Sequence, residues 1–290
     1  MKSILVTGAR GQLGREIRAQ KDMLHGVKFY FSDIDDLDIR DEAEVFKIID
    51  SIKPSLLINC AAYTSVDRAE TEPEDAFAVN SMAVKNIITA AARKPGMKII
   101  HISTDFVFDG NRKTPYTEDI NPSAMSAYGK SKQEGEGFAL SYPLSMIIRT
   151  SWLYSEYGKN FVKTVLGLAT EKDEIKVVDD QVGSPTWAAD LASTILLISG
   201  ESFKKHGHFA TGIYHYSNQG SCSWYDFAME IKRIKGLNIN IKPVGTDDYP
   251  LPAKRPAYSV LNLEKIKNTY NIDIPYWQDS LEKCLNRINH

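Results

Sequence analysis

Short runs of continuous apolar residues alternate along this chain with longer stretches in which apolar positions recur three or four residues apart. The first pattern reads as buried strand and the second as amphipathic helix. Ile4-Leu5-Val6 predicts a strand, and Leu13 to Arg18 predicts a helix with Leu13 and Ile17 on one face. The pair then recurs: Lys28 to Phe31 as strand and Glu42 to Ile52 as helix, Leu56 to Asn59 as strand and Asp75 to Ala92 as helix. Lys98 to Ile102 follows as strand, Tyr128 to about Ser141 as helix, and Ser145 to Arg149 as strand. Strands apolar on both faces, each followed by a helix, predict an α/β fold with a Rossmann-type doubly wound parallel sheet.

Beyond Trp152 the repeating unit loosens. Asn160 to Thr170 predicts a helix, Ile175 to Val178 a strand, Ala188 to Ser199 an apolar helix and Ser223 to Lys235 another. The expected division is a nucleotide-binding domain over residues 1-151 and about 187-218, with a smaller α/β C-terminal substrate-binding region over about 152-186 and 219-290. Proline fixes φ and donates no amide, so the stretch holding Pro243, Pro250, Pro252 and Pro256 predicts an ordered loop over a surface, not core.

Composition narrows the partners. A formal net charge of -2 with 25% charged residues is that of an ordinary globular enzyme and leaves no basic excess for a polyanion, so no nucleic-acid partner is expected. No stretch has the roughly 18 unbroken apolar residues of a membrane span. The apolar start is too short for a signal peptide's core, and the chain is expected in the cytoplasm. Cys60, Cys222 and Cys284 are odd in number and lack metal-type spacing, and all three are expected to be reduced packing residues.

Two segments carry chemistry. In Thr7 to Gly14 the glycines Gly8, Gly11 and Gly14 stand three apart between a strand and a helix, with Arg10, Gln12 and Leu13 among them. Glycine lets a backbone approach a pyrophosphate, and the helix N-terminus offers free amides. Asp33, ending the second strand, can accept from a ribose 2′-hydroxyl and favour NADH, whereas Arg10 can pair with a 2′-phosphate and favour NADPH. NADPH is the expected preference, with NADH tolerated.

The other segment is Tyr128-Gly129-Lys130-Ser131-Lys132, whose four-residue spacing puts phenol and ammonium on one helical face. Free tyrosine, with a pKa of about 10, is too weak an acid near neutrality, and a lysine beside it with an oxidised nicotinamide would lower that value. The spacing alone also fits a surface helix with a snorkelling lysine. Its place after a strand ending in Ser103-Thr104-Asp105 favours catalysis: Tyr128 as proton donor, and Thr104 or Ser103 on a substrate carbonyl.

Together, Thr7 to Gly14, Asn59-Cys60-Ala61-Ala62, Ser103-Thr104-Asp105 and Tyr128 to Lys132 resemble the extended short-chain dehydrogenase/reductase family. Within it, Gly11 to Gly14, Ala61 to Asp67, Ser103 to Gly110, Arg149 to Trp152, Asp180 to Thr186 and Arg255 to Leu261 are similar to the dTDP-4-dehydrorhamnose reductase family, from Met1 to about Leu261. The resemblance implies a sugar-nucleotide substrate: hydride from NAD(P)H to C4 of dTDP-4-dehydro-L-rhamnose, protonation by Tyr128, and dTDP-L-rhamnose as product. It implies cofactor contacts at Arg10 to Leu13, Asp38, Ile39, Ala61, Ala62, Tyr63, Tyr128 and Lys132. Thr104, Asp105 and Trp152 would contact the sugar nucleotide, and an indole face suits a deoxysugar. Lys254 and Arg255 would meet the diphosphate.

Some members use magnesium and pair through acidic residues. No ligand motif is placed residue by residue in this chain, so no metal ligand is assigned, magnesium stays open, and the chain is expected as monomer or homodimer. Three alternatives stand beside this reading: a reductase or an epimerase acting on another nucleotide 4-keto sugar, and a non-catalytic module resembling the methionine adenosyltransferase β subunit. A dehydratase is disfavoured because Phe106 follows Thr104-Asp105 where those enzymes carry a glutamate.

Overall fold

In the computed structural model, which describes residues 2–288, the strands in chain order are β1 (Lys2–Thr7), β2 (Val27–Ser32), β3 (Leu56–Asn59), β4 (Lys98–Thr104), β5 (Ser145–Thr150), β6 (Leu153–Tyr154), β7 (Glu174–Val178), β8 (Val182–Gly183), β9 (Thr186–Trp187), β10 (Gly212–His215), β11 (Cys222–Ser223) and β12 (Asn240–Val244). The helices are α1 (Gln12–Ala19), α2 (Glu42–Ile52), α3 (Arg68–Thr71), α4 (Pro73–Phe77), α5 (Ala83–Ala92), α6 (Ala127–Leu140), α7 (Phe161–Glu171), α8 (Ala188–Phe203), α9 (Trp224–Lys235), α10 (Glu264–Tyr270) and α11 (Trp277–Ile288).

Six strands form one parallel sheet in the order β10-β5-β4-β3-β1-β2. Successive residues of a strand face opposite ways, so a continuous apolar run feeds two cores. Ile4, Val6, Ile58 and Ile148 pack under α1 and α8, while Leu5, Leu57, Ile99 and Ile147 pack under α2 and α5. Each such buried side chain is worth about 1.5–3 kcal/mol. The chain leaves β1 towards β2, then returns to β3 on the other side of β1. That reversal opens a crevice at the carboxyl ends of β1 and β3, where such sheets bind ligands.

A third core, including Tyr154, Val162, Val177, Trp187, Phe227, Ile231, Leu281 and Leu285, belongs to a second lobe of α7, α9, α11 and three two-stranded ribbons: β7 with β12, β8 with β11, β6 with β9. α10, inside the stretch expected for the substrate-binding region, packs instead on β10 and the main core.

Two expectations need correction. The helix expected from Asp75 to Ala92 starts at Pro73 and is interrupted by a π-turn, Ala78–Met82. The reason is Asn80, whose side chain accepts from the Tyr63 amide at 2.9 Å and donates to the Tyr63 carbonyl and Ser131 Oγ at 3.0 Å each. The proline stretch is also more than surface loop. Pro243 lies in β12 opposite Val177, tolerated because β12 has a partner on one side and needs no donor on the other. Ala253 and Pro256 are buried, Pro256 packing on Gly110, where a Cβ would come within 2.5 Å of it. Among the described residues no helix is long and apolar enough to cross a membrane.

Candidate active site

The glycine loop sits at the crevice. Gly8 has φ +65° and lies so close to the turn after β3 that a Cβ would stand 2.5 Å from the Ala61 amide nitrogen. A Cβ on Gly14 would stand 2.4 Å from the Gly8 carbonyl oxygen. Both positions therefore demand glycine, and Gly11 is the N-cap of α1, leaving no side chain to cap its first amides. Thr7 donates to Asn59 Oδ1 at 2.7 Å, and Asn59 Nδ2 lies 3.1 Å from His101 Nδ1, tying the tips of β1, β3 and β4 together.

One cavity of about 320 Å³ runs from Gly8 and Gly11 past Asp33, Leu37, Asp38, Ile39 and Arg40 to Ala61, Ala62 and Tyr63. Asp33 is committed to its surroundings: it accepts from the Arg10 amide at 2.7 Å and the Ile34 amide at 2.9 Å. The Arg10 guanidinium pairs with Asp35, a residue the sequence reading left out. Arg40, also left out, forks onto Asp38 at 2.7–3.0 Å and holds its carboxyl below the usual range. Arg40 follows the expected Asp38-Ile39 pair directly, which was the available signal.

A larger cleft of about 640 Å³ continues from Gly11, Gln12, Leu13 and Gly14 to Thr104, Asp105, Tyr128, Lys132, Trp152 and Arg255. Thr104 ends β4; its hydroxyl donates to Asp105 Oδ1 at 3.1 Å and accepts from the Phe106 amide at 3.2 Å. Ser126 caps α6 through the Gly129 amide at 3.1 Å, starting the helix one residue before Tyr128. Gly129 lets the helix meet the next turn, since a Cβ there would stand 2.3 Å from the Phe106 carbonyl oxygen. Lys132 Nζ donates to the Ile102 carbonyl at 2.6 Å.

Burial governs the charges. It pushes the Tyr128 phenol up to about 12, against a downward pull from the Thr104 hydroxyl, so the phenol is protonated across the neutral range. Lys132 Nζ turns to the Ile102 carbonyl, and burial is the largest influence on the Tyr128 phenol. Burial pulls Lys132 down to about 8, opposed by Glu136 and Cys60. Asp105 is pushed up to about 6 by burial, and its Oδ2 is buried without a partner.

Trp152 adopts φ 47°, and its ring stacks on Trp224 with centroids 3.6 Å apart while Gly183 lies against its Nε1 side. Trp152 lines the cleft with one ring face occupied by Trp224. Trp224 and Lys159 line the same cleft and were missed, because nothing in their local pattern marks them. Arg255 reaches the cleft but is already forked onto Asp67 at 2.9 and 2.7 Å. Lys254 does not line it. Cys222 and Cys284 are buried packing residues, whereas Cys60 is half-buried and lines both cavities. Among the described residues no three His, Cys, Asp or Glu side chains gather as a metal site.

A glycine loop at a topological switch point, with the Thr104 hydroxyl ending β4 and the Tyr128 phenol and Lys132 ammonium on α6 beside it, defines a nicotinamide-dependent oxidoreductase on a Rossmann-type sheet. All 290 residues match the family described as RmlD substrate binding domain. Over 97% of this chain and 98% of its own length, a dTDP-4-dehydrorhamnose reductase of Aggregatibacter actinomycetemcomitans is 42% identical. A crystal structure of such a reductase from Clostridium acetobutylicum is 42% identical with a TM-score of 0.93, covering 99% of this chain and 100% of that one. One from Bacillus anthracis, in complex with NADP, is 38% identical with the same TM-score and coverage. The chain belongs to the dTDP-4-dehydrorhamnose reductase family.

Proposed function

We propose that this chain reduces the 4-keto group of dTDP-4-dehydro-L-rhamnose to give dTDP-L-rhamnose. The observation that carries the reading is the meeting of Thr104, Tyr128 and Lys132 in a cleft whose rim is the glycine loop. A bound reduced nicotinamide dinucleotide supplies the hydride. Gly8 to Gly14 and the uncapped amides of α1 fit its pyrophosphate, and Asp33, Asp38, Ile39, Ala61, Ala62 and Tyr63 line the neighbouring cavity.

The remaining work falls to side chains. Tyr128 gives its proton to the sugar oxygen, and Lys132 steadies the phenolate left behind. Thr104 donates a hydrogen bond to the same oxygen as charge develops there. Asp105, with one oxygen uncommitted, accepts a sugar hydroxyl. Trp152 and Trp224 wall the sugar off from water, and residues about 152-186 and 219-288, α10 excepted, supply the substrate-binding region. NADPH is the preferred dinucleotide and NADH is tolerated, because Arg40 lines this cavity and Arg10, whose amide donates to Asp33 beside it, has an exposed partner, Asp35, that can release its guanidinium.

The test is an assay with dTDP-4-dehydro-L-rhamnose that follows NADPH loss and identifies the sugar formed. One NADPH consumed per dTDP-L-rhamnose is expected. An absence of product at high enzyme overturns the substrate, and a stereoisomeric keto sugar formed without cofactor loss points to an epimerase. A kcat/KM higher with NADH than with NADPH overturns the cofactor preference alone.

A further inference from the structure

Tyr128 and Lys132 belong to a longer row. Glu136 follows Lys132 by four residues on α6, so the three side chains occupy one helical face at steps of about 6 Å. All three are buried, Glu136 with 2% exposure. The Glu136 carboxylate is held by Arg149 of β5, wholly buried, through Nε at 2.8 Å and Nη2 at 2.7 Å. Arg149 also lies 3.4 Å from His215 Nε2, and burial with the Arg149 charge pulls His215 down to about 3, so this imidazole is neutral.

The groups facing Lys132 can be counted by element. On α6 they are Tyr128 and Glu136; after β3 comes Cys60, on β4 His101, and beyond β4 Asp105. Burial keeps the Cys60 thiol protonated, up at about 12, and burial followed by the Lys132 charge keeps His101 neutral. Tyr128 is a phenol. Asp105, pushed up to about 6 by burial, acts on Tyr128. Glu136 is the anion one turn from the ammonium.

We propose that Glu136 is the counter-charge of Lys132: anchored in the core by Arg149, it keeps the ammonium charged behind Tyr128 and so sets the alkaline limit of the reductase. Glu136 touches no reactant and acts through Lys132, which makes it a positioning residue. The inference rests on the reductase reading for its kinetic arm, and a second arm is independent of turnover.

Glu136→Gln keeps the shape and removes the charge. Its kcat/KM should stay near wild type at pH 6 and fall about tenfold at pH 8.5, the alkaline limb moving down by about one pH unit. Glu136→Asp should return the limb most of the way. Because Glu136→Gln leaves Arg149 buried without its partner, Glu136→Gln with Arg149→Met is the companion that keeps the core neutral, and its limb should shift in the same direction. Carbamylation of Lys132 by cyanate, read by peptide mass spectrometry, should begin at lower pH in both variants. A limb and a carbamylation profile at the wild-type pH, with activity lowered equally at every pH, overturn the proposal. A wild-type enzyme that shows no turnover overturns the reductase reading instead, and leaves the carbamylation arm to decide this one.

Discussion

The two walls of the cleft are built by different means. On the sheet side, β4 and α6 are locked by main-chain contacts: Lys132 on the Ile102 carbonyl, Gly129 against the Phe106 carbonyl, and a π-turn through Asn80 that grips both Tyr63 and Ser131. On the other side, Trp152, Lys159 and Arg255 lie on loops between short elements and Trp224 opens α9, and side chains hold one another: indole on indole, guanidinium on Asp67. Proton transfer needs groups fixed to a fraction of an ångström, which a parallel sheet provides. Recognition of a sugar nucleotide tolerates a wall of packed side chains, which can vary while the chemistry stays.

The division fails if chemistry does not reside on the sheet wall. Tyr128→Phe removes one hydroxyl from a side chain whose ring also packs edge-on against Phe106, so the fold should persist. We expect kcat to fall about a thousandfold, within the usual range for a general acid, while NADPH affinity by fluorescence titration stays within about twofold. Retention of a tenth of the activity would place the proton donor elsewhere.

The opposite wall should answer differently. Trp224→Ala deletes the ring that supports Trp152 and the Phe161 side of the second-lobe core. KM for the sugar nucleotide should rise about tenfold, with kcat and the KM for NADPH nearly unchanged, which is the signature of lost uniform binding. A fall in kcat with unchanged KM would erase the distinction between the walls.

The same contrast governs what could be read from sequence. On the sheet side α2 and β3 match the expected Glu42–Ile52 and Leu56–Asn59 at both ends, because strand and helix periods are local signals. Two-residue strands such as β8 and β11 have no period to detect, and their pairing depends on residues some forty positions apart. Pro243 concealed β12, and α10 and α11 were not foreseen. The candidate site divides likewise. Thr104, Tyr128 and Lys132 were marked by spacing and position, whereas Asn80 and Trp224 gain meaning only from partners brought by the fold. Arg149 lies within a segment noted for its resemblance, yet its pairing with Glu136 is a tertiary fact.

The smallest effect is expected where the two walls join. Glu16, on the glycine-loop helix, has no exposure; Ser155 donates to it at 2.7 Å, and Arg287 of α11 lies 3.7 Å away while standing 3.2 Å from Glu156. Burial first, then the Glu156 carboxyl, pushes the Glu16 carboxyl up to about 8 while Glu156 is lowered, so Glu16 holds a proton in the neutral range. A carboxyl whose folded pKa is raised contributes its full stability below the unfolded value near 4.5, and that contribution drains away as pH climbs towards 8. Glu16→Gln imitates the protonated form at every pH. Its melting temperature should equal wild type near pH 5 and exceed it by at least about 2–4 °C at pH 8.5, the shift that each 1 kcal/mol gives in a somewhat smaller chain. Turnover at pH 7 should change less than about twofold, since the junction bears on how the walls are held and not on either wall's contact with substrate. Parallel melting curves from pH 5 to 8.5 would mean that Glu16 is ionised in the fold and that Arg287, not a proton on Glu16, carries the junction.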